Sequence, residues 1–159
     1  MSSDSPSTRT LVYLDDLQVG QKYVTGTYQL DEQQIKQFAS QYDPQPFHLD
    51  ADAGSKSLFQ GLVASGWHTA AVTMRLMVES GIPIAGGLIG AGAEISWPRP
   101  TRPGSIVHVE SEVLEIKLSK SRPDRGIVTV RNETKDQTGE VVQVMTAKMI
   151  VSRKPSQLR

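Results

Sequence analysis

The stretch that decides the fold spans residues 65 to 81 and reads Ser-Gly-Trp-His-Thr-Ala-Ala-Val-Thr-Met-Arg-Leu-Met-Val-Glu-Ser-Gly. We expect a helix that begins at Ser65 or Gly66 and ends at Gly81, because glycine often follows the last helical residue. Its apolar residues fall on most sides of the helix: Trp67, Ala70, Ala71, Met74, Leu76 and Met77. A helix that is apolar nearly all round is usually buried in the middle of a domain. The segment therefore predicts a buried central helix.

Strand patterns surround this helix in the sequence. Four follow it, separated by turns rich in proline and glycine, at about residues 88–97, 105–118, 126–135 and 141–152. One precedes it, from Tyr23 to Gln29. This order predicts an α+β domain in which a five-stranded antiparallel sheet wraps around the central helix.

A second helix is predicted between the first strand and the central helix. Asp31 can cap its first turn, and Gln34 can return the hydrogen bond in a capping box. We expect the helix to reach about Gln41, because Pro44 disfavours helical geometry at Asp43.

The length of 159 residues fits one domain with one core. We place this domain at residues 10–153, between a polar, disordered N-terminal tail at 1–9 and a short basic C-terminal tail at 154–159.

The charge balance limits the classes of partner. The 17 basic and 17 acidic residues give a net charge of zero, which argues against nucleic acid or a membrane surface as the main partner. The chain contains no cysteine, no secretory signal pattern and no apolar stretch long enough to cross a bilayer. We therefore expect a cytoplasmic location.

Residues 43–50, reading Asp-Pro-Gln-Pro-Phe-His-Leu-Asp, carry the strongest sign of chemistry. Pro44 and Pro46 stiffen the backbone, and we expect a rigid loop that does not form a helix. On such a loop Asp43 and His48 can hold a water molecule between a carboxylate and an imidazole, as general acid/base catalysis requires. The alternative is a structural turn in which Asp43 bonds its own backbone.

The start of the central helix supplies the other half of the predicted site. If Gly66 begins the helix, its unpaired N–H and the helix dipole can bind the oxygen of a polarised carbonyl. The alternative is that Gly66 only allows a tight turn. We therefore name Gly66, Ser65 and Phe47 as the candidate oxyanion-hole and substrate-binding residues.

Other motifs predict no further site. The glycine-rich residues 86–92 lead into a strand pattern and not into a helix, which excludes a dinucleotide-binding loop. His68 and His108 lack the spacing of metal ligands, so neither a metal nor a cofactor is predicted. A basic cluster around a hairpin turn is read as a solvated face, with binding of ligand phosphates as the alternative: Lys117, Lys120, Arg122 and Arg125.

The run from Tyr42 to Asp50, together with residues 59–69 (Phe-Gln-Gly-Leu-Val-Ala-Ser-Gly-Trp-His-Thr), resembles the MaoC-like dehydratases. These are the R-specific enoyl-CoA hydratase group of the hotdog superfamily. The family pattern Asp-x-Asn-Pro-x-His places the catalytic pair on Asp43 and His48, and the oxyanion-hole glycine falls on Gly66.

Two positions depart from the family pattern. Gln45 stands where the pattern has Asn, and Tyr42 replaces the usual Gly before the Asp. Some relatives carry a serine on the central helix that supports the catalytic Asp. The corresponding residue here is Met74, with Thr73 beside it, and that role is not carried over.

The resemblance implies a hotdog fold with sheet order 1-3-4-5-2 and a homodimer, or a larger homo-oligomer, with a continuous sheet. It implies a lyase of fatty acid metabolism that binds acyl-CoA near the subunit interface and reversibly hydrates a 2-enoyl-CoA. Two alternatives remain open: a hotdog acyl-CoA thioesterase, which also polarises a thioester carbonyl, and a non-catalytic acyl-thioester-binding subunit.

Overall fold

A computed structural model gives the structure of the protein and describes residues 9–158. Residues 1–8 of the predicted N-terminal tail lie outside the described residues. The elements are, in chain order, β1 (Lys22–Val24), β2 (Tyr28–Gln29), α1 (Glu32–Tyr42), α2 (Pro46–Leu49), α3 (Ala51–Ser55), α4 (Gly66–Ser80), β3 (Ile89–Ser96), β4 (Ile106–Leu118), β5 (Arg125–Lys135) and β6 (Val141–Ser152).

Helix α1 begins as the sequence predicts. The Asp31 carboxylate accepts a hydrogen bond from the Gln34 amide at 2.7 Å, and the Gln34 side chain accepts from the Asp31 amide at 3.1 Å. The capping box therefore satisfies two backbone donors that the helix itself leaves unpaired. The helix ends at Tyr42, so Asp43 follows its last residue directly and lies in the site described below.

The strands form an antiparallel sheet in the order β1-β4-β5-β6-β3, with β2 paired to β4 beside β1. Strands β3 to β6 are the four later predicted strands, and their ends lie within one residue of the predicted ones. With β1 and β2 counted together as the first predicted strand, the observed order is the 1-3-4-5-2 order that the resemblance implies. Strand β3 forms one edge of the sheet, and its register with β6 shifts at a bulge between Gly90 and Gly92.

The sheet has six strands and not the predicted five, because the first predicted strand is interrupted. Between β1 and β2 the Val109 amide bonds to the Thr25 hydroxyl at 2.9 Å. The Gly26 amide bonds to the Ser80 hydroxyl, also at 2.9 Å. The Thr25 amide still bonds to the Val109 carbonyl at 3.0 Å, but side chains make the other hydrogen bonds here, and the strand divides into two short pieces.

Helix α4 lies across the sheet and buries one face against it. The residues of the main core pack around this face: Leu30, Ile35, Leu62, Ala64, Val72, Leu76, Met77, Val107, Val109, Val142 and Met145. The opposite face is open and carries three large apolar side chains, Trp67 58%, Met74 45% and Val78 58% exposed, beside the exposed Arg75–Glu79 ion pair. The predicted central helix is confirmed by the face that packs on the sheet, but an apolar pattern alone could not show that the other face is open in the single chain.

The two ends of the described chain are joined by charged contacts. Arg153 Nη2 lies 2.9 Å from Asp15 Oδ1, and Lys154 Nζ lies 2.6 Å from Asp16 Oδ1. In the predicted C-terminal tail, Pro155–Gln157 form one turn of 3-10 helix. Among residues 9–158, no helix is both long and apolar enough to span a bilayer.

We predict that Asp31→Ala lowers the free energy of unfolding by about 1 kcal/mol, because the N-cap hydrogen bond is lost. Urea unfolding followed by circular dichroism measures the change. Asp31→Ser keeps a capping oxygen and is the matched control, with stability close to that of the wild type. Equal losses in both variants would show that the cap does not contribute.

Candidate active site

The loop after α1 folds differently from its prediction. Pro46–Leu49 form α2, a single helical turn, although the prolines were expected to keep the loop extended. Pro46 occupies the first turn of this helix, where a missing N–H costs nothing and the fixed φ angle suits a helix. The turn carries His48 back toward Asp43, which ends α1 with its amide bonded to the Ala39 carbonyl at 2.9 Å.

Asp43 and His48 meet, as the sequence predicts. His48 Nε2 lies 3.2 Å from Asp43 Oδ2, with the imidazole side chain 6% and the carboxylate 17% exposed. The other ring nitrogen, Nδ1, lies 2.6 Å from the Val63 carbonyl oxygen. A carbonyl oxygen only accepts, so Nδ1 carries a proton and donates it. Nε2, which faces Asp43, is therefore the nitrogen that can take up or release a proton.

The Asp43 carboxylate is held in its ionised form by its neighbours. Burial opposes ionisation, but hydrogen bonds from the Gln45 amide and the Ser65 hydroxyl, together with the His48 ring, outweigh it and lower the pKa of Asp43 below its usual value. The Gln45 Nε2 to Asp43 Oδ1 distance is 2.6 Å. A carboxylate that stays ionised near neutral pH is ready to accept a proton.

The N-terminus of α4 contributes a backbone donor to the same place. The fully buried Ser65 caps the helix, with its hydroxyl 3.2 Å from the Trp67 amide. Gly66 is the first helical residue, so its own N–H has no partner within the helix. A side chain is excluded at residue 66, because a Cβ there would lie 2.6 Å from Cε2 of the Trp97 ring.

These groups share one cleft of about 460 Å³, within the usual range for ligand pockets of roughly 300–1,000 Å³. We call it the main cleft, and its lining residues are Asp43, Gln45, Phe47, His48, Phe59, Val63, Ala64, Gly66, Trp67, Thr69, Trp97, Pro98, Arg99, Pro100 and Thr101. Four of the five candidate site residues are therefore among the lining residues. The fifth, Ser65, is fully buried immediately before Gly66 and does not line the cleft. The residues from Trp97 to Thr101 were missed, because their prolines indicated only a turn between strands.

A model of the MaoC-like domain family matches residues 16–137, which is most of the chain. The chain belongs to the MaoC-like dehydratase family. The structure superposes with a TM-score of 0.89 on a MaoC-like dehydratase from Rhodospirillum rubrum, at 58% sequence identity over 91% of this chain and 99% of the other. The match to the R-hydratase PhaJ1 from Pseudomonas aeruginosa has a TM-score of 0.70, at 28% identity over 91% and 88% of the two chains. A mesaconyl-CoA hydratase from Haloarcula marismortui is 30% identical over 70% of this chain, which spans 31% of that protein.

Membership of the MaoC-like family confirms the resemblance and the hotdog fold. The structure also shows how this member differs around its aspartate. Gln45, which replaces the Asn of the pattern, reaches back to the Asp43 carboxylate. Ser65, the N-cap of α4, contributes to the lowered pKa of the same carboxylate.

The remaining histidines and the basic hairpin lie away from the main cleft. His68 stacks on Phe38 with ring centroids 4.6 Å apart, and burial lowers the pKa of His68. His108 pairs with Glu110 at 3.1 Å. In the part of the chain that the structure describes, no three His, Cys, Asp or Glu side chains are grouped closely enough to hold a metal. None of the four basic residues at the turn between β4 and β5 lines the cleft.

We predict that Gln45→Ala raises the pKa of Asp43, because the carboxylate loses a hydrogen bond that favours its charged form. Titration of the Asp43 carboxyl carbon by ¹³C NMR measures the shift. Gln41→Ala, which removes an exposed glutamine from the last turn of α1, is the control and should leave the titration unchanged. A titration of Asp43 that does not move in Gln45→Ala would contradict the interpretation of this contact.

Proposed function

We propose that the protein reversibly hydrates a 2-enoyl-CoA, giving a 3-hydroxyacyl-CoA. One observation carries the proposal: Asp43, His48 and the Gly66 amide line the same cleft. A proton acceptor and an oxyanion donor in one water-accessible space are what addition of water to a conjugated thioester requires. The mesaconyl-CoA hydratase among the similar proteins supports a CoA thioester as substrate.

Asp43 and His48 activate the water. The ionised carboxylate and His48 Nε2 lie 3.2 Å apart, close enough for one water molecule beside them to hydrogen-bond to both groups. As the water oxygen bonds to the β-carbon of the enoyl group, the pair accepts one of its protons. The same pair then returns that proton to the α-carbon, so the addition consumes one water and no other reactant. Dehydration follows the same steps in reverse.

The Gly66 amide stabilises the charge that develops during the addition. Attack at the β-carbon moves negative charge onto the thioester oxygen, as in an enolate. A backbone N–H at the positive end of the 15-residue helix α4 is a fixed donor for that oxygen. The absence of a side chain at Gly66 allows the substrate to approach this amide closely.

Phe47 contributes an apolar wall next to the acid/base pair. Its ring meets the His48 ring edge to face, with centroids 4.6 Å apart, and lies 5.2 Å from the Phe59 ring. These rings offer an apolar surface to an acyl group beside the reacting carbon. The similarity to an R-hydratase favours the R configuration of the 3-hydroxyacyl product.

Incubation with crotonyl-CoA and, separately, with butyryl-CoA separates the proposal from its alternatives. Hydration removes the enoyl absorbance without releasing free thiol. Release of free thiol from either compound would instead identify a thioesterase. Binding without either reaction would identify a non-catalytic subunit.

We predict that Asp43→Asn lowers kcat for crotonyl-CoA by about two to four orders of magnitude, because the general base is removed. Circular dichroism checks that the variant remains folded. Asp52→Asn, which changes an exposed carboxylate of α3, is the matched control and should keep the wild-type rate. A wild-type rate in Asp43→Asn would remove Asp43 from the mechanism.

We further propose that two copies associate through the open face of α4 and the edge strand β3. Trp67, Met74 and Val78 are large apolar residues that the single chain leaves exposed. They lie on one side of the helix, and Ile95 is the only residue of β3 that is not exposed. Association removes the apolar face of α4 from water and gives the unpaired backbone groups of β3 hydrogen-bond partners. Both changes favour the dimer. The cytoplasmic location and a role in fatty acid metabolism remain predictions.

We predict that sedimentation gives a mass of about twice 17.4 kDa, and that Met74→Lys yields monomers because a charge would be buried at the contact. Val24→Lys, on the opposite edge of the sheet at β1, is the control and should sediment as the wild type does. A monomeric wild-type protein at micromolar concentration would contradict this association.

A further inference from the structure

Trp67 and Trp97 are the two tryptophans of the chain, and both line the main cleft. Their rings meet edge to face at 5.4 Å between centroids. Trp97 also packs directly on Gly66, where the space that a Cβ would need is taken by the indole ring. Trp97 is therefore the wall beside the amide that receives the thioester oxygen in the proposed function, on which this inference rests.

A buried hydrogen-bond relay fixes the orientation of this wall. The indole N–H of Trp97 donates to Oε1 of Gln143 at 3.0 Å, and Gln143, which is fully buried, donates through Nε2 to the Thr73 hydroxyl at 3.1 Å. Thr73 donates to the Thr69 carbonyl at 2.9 Å, so the 2.6 Å contact between the Thr73 and Thr134 hydroxyls is donated by Thr134.

Each side-chain nitrogen and oxygen of this relay has at least one hydrogen-bond partner. Rotating the indole away would leave the buried Gln143 oxygen without its donor, which is costly inside a protein. The relay joins helix α4 to strands β5 and β6, so it belongs to the rigid part of the fold. Trp97 is thus held in place more firmly than its partial exposure of 40% suggests.

A fixed side chain beside the thioester carbonyl, such as Trp97, can discriminate between substrates only through the part of the substrate in which they differ. The sulfur and the CoA arm are the same in every acyl-CoA, so any discrimination falls on the acyl group. We propose that Trp97 is the specificity-determining residue of the main cleft and restricts it to short 2-enoyl thioesters.

The test compares kcat/KM for crotonyl-CoA, 2-hexenoyl-CoA and 2-octenoyl-CoA. The wild type should prefer crotonyl-CoA, and Trp97→Ala should raise the ratio of octenoyl to crotonyl activity at least about tenfold, since a methylene-sized change in a pocket alters selectivity by about 10- to 200-fold. Trp97→Phe should give a smaller increase and replaces the alanine variant if that protein fails to fold.

Trp67→Ala is the matched control, because it removes the other tryptophan of the cleft and leaves the relay intact. Its octenoyl-to-crotonyl ratio should change less than that of Trp97→Ala. An equal or larger change in Trp67→Ala, or an unchanged ratio in both Trp97 variants, would overturn the assignment of specificity to Trp97.

A binding measurement tests the relay without relying on turnover. In Trp67→Phe, Trp97 is the sole tryptophan, and its fluorescence reports binding of the saturated thioesters butyryl-CoA and octanoyl-CoA. Butyryl-CoA should bind more tightly. Adding Gln143→Leu should reduce the difference in affinity between butyryl-CoA and octanoyl-CoA. It should also increase quenching of Trp97 fluorescence by acrylamide, because the indole N–H loses its hydrogen-bond acceptor. Unchanged quenching and selectivity would show that the relay does not position Trp97.

Different results would contradict the proposed hydratase function and the specificity role of Trp97. If no enoyl-CoA is hydrated and no acyl-CoA changes the fluorescence, the proposed function fails and this inference fails with it. If crotonyl-CoA is hydrated but the selectivity does not depend on Trp97, only the present inference is wrong.

Discussion

The geometry of the site depends on two hydrogen bonds made by the backbone of Val63. Its amide donates to the Phe47 carbonyl at 3.2 Å, and its carbonyl accepts from His48 Nδ1 at 2.6 Å. The first bond joins the segment that leads into α4 to the loop that follows α1, and the second fixes the ring and its tautomer. Because Val63 is itself buried, water does not compete for these groups. The acid/base pair and the helix amide are therefore held relative to each other by one residue that does no chemistry.

The core around α4 divides into an apolar part and a polar part. Leu76 and Met77, toward the end of the helix, pack among aliphatic side chains of the sheet. One to two turns earlier, Thr69 and Thr73 meet polar partners instead, and the Thr69 hydroxyl lies 3.0 Å from that of Thr101. Hydrogen bonds are directional and aliphatic contacts are not, so the polar half admits fewer arrangements of its side chains. The half of the core beneath the cleft is thus the more narrowly specified one.

The features that could be predicted from the sequence are those set by short-range rules. The capping box at Asp31 involves residues three positions apart, and the later strands are bounded by proline and glycine turns. The pairing of Asp43 with His48 could be predicted from their residue types and spacing, although the helical turn that brings them together was not. Trp97 and Gln143 could not be predicted as parts of the site, because strand register and helix packing bring them to α4 from distant positions. The turn α2 was missed for a different reason: proline breaks a helix interior but is accepted in its first turn.

The bulge between Gly90 and Gly92 has a consequence for how readily the chain aggregates. A newly made copy offers the open ladder of β3 to any extended polypeptide that it encounters. Irregular register and residues of low strand propensity make that edge a poor template for indiscriminate pairing. Glycine at these positions weakens the sheet slightly and also lowers the tendency of this open edge to aggregate with other chains.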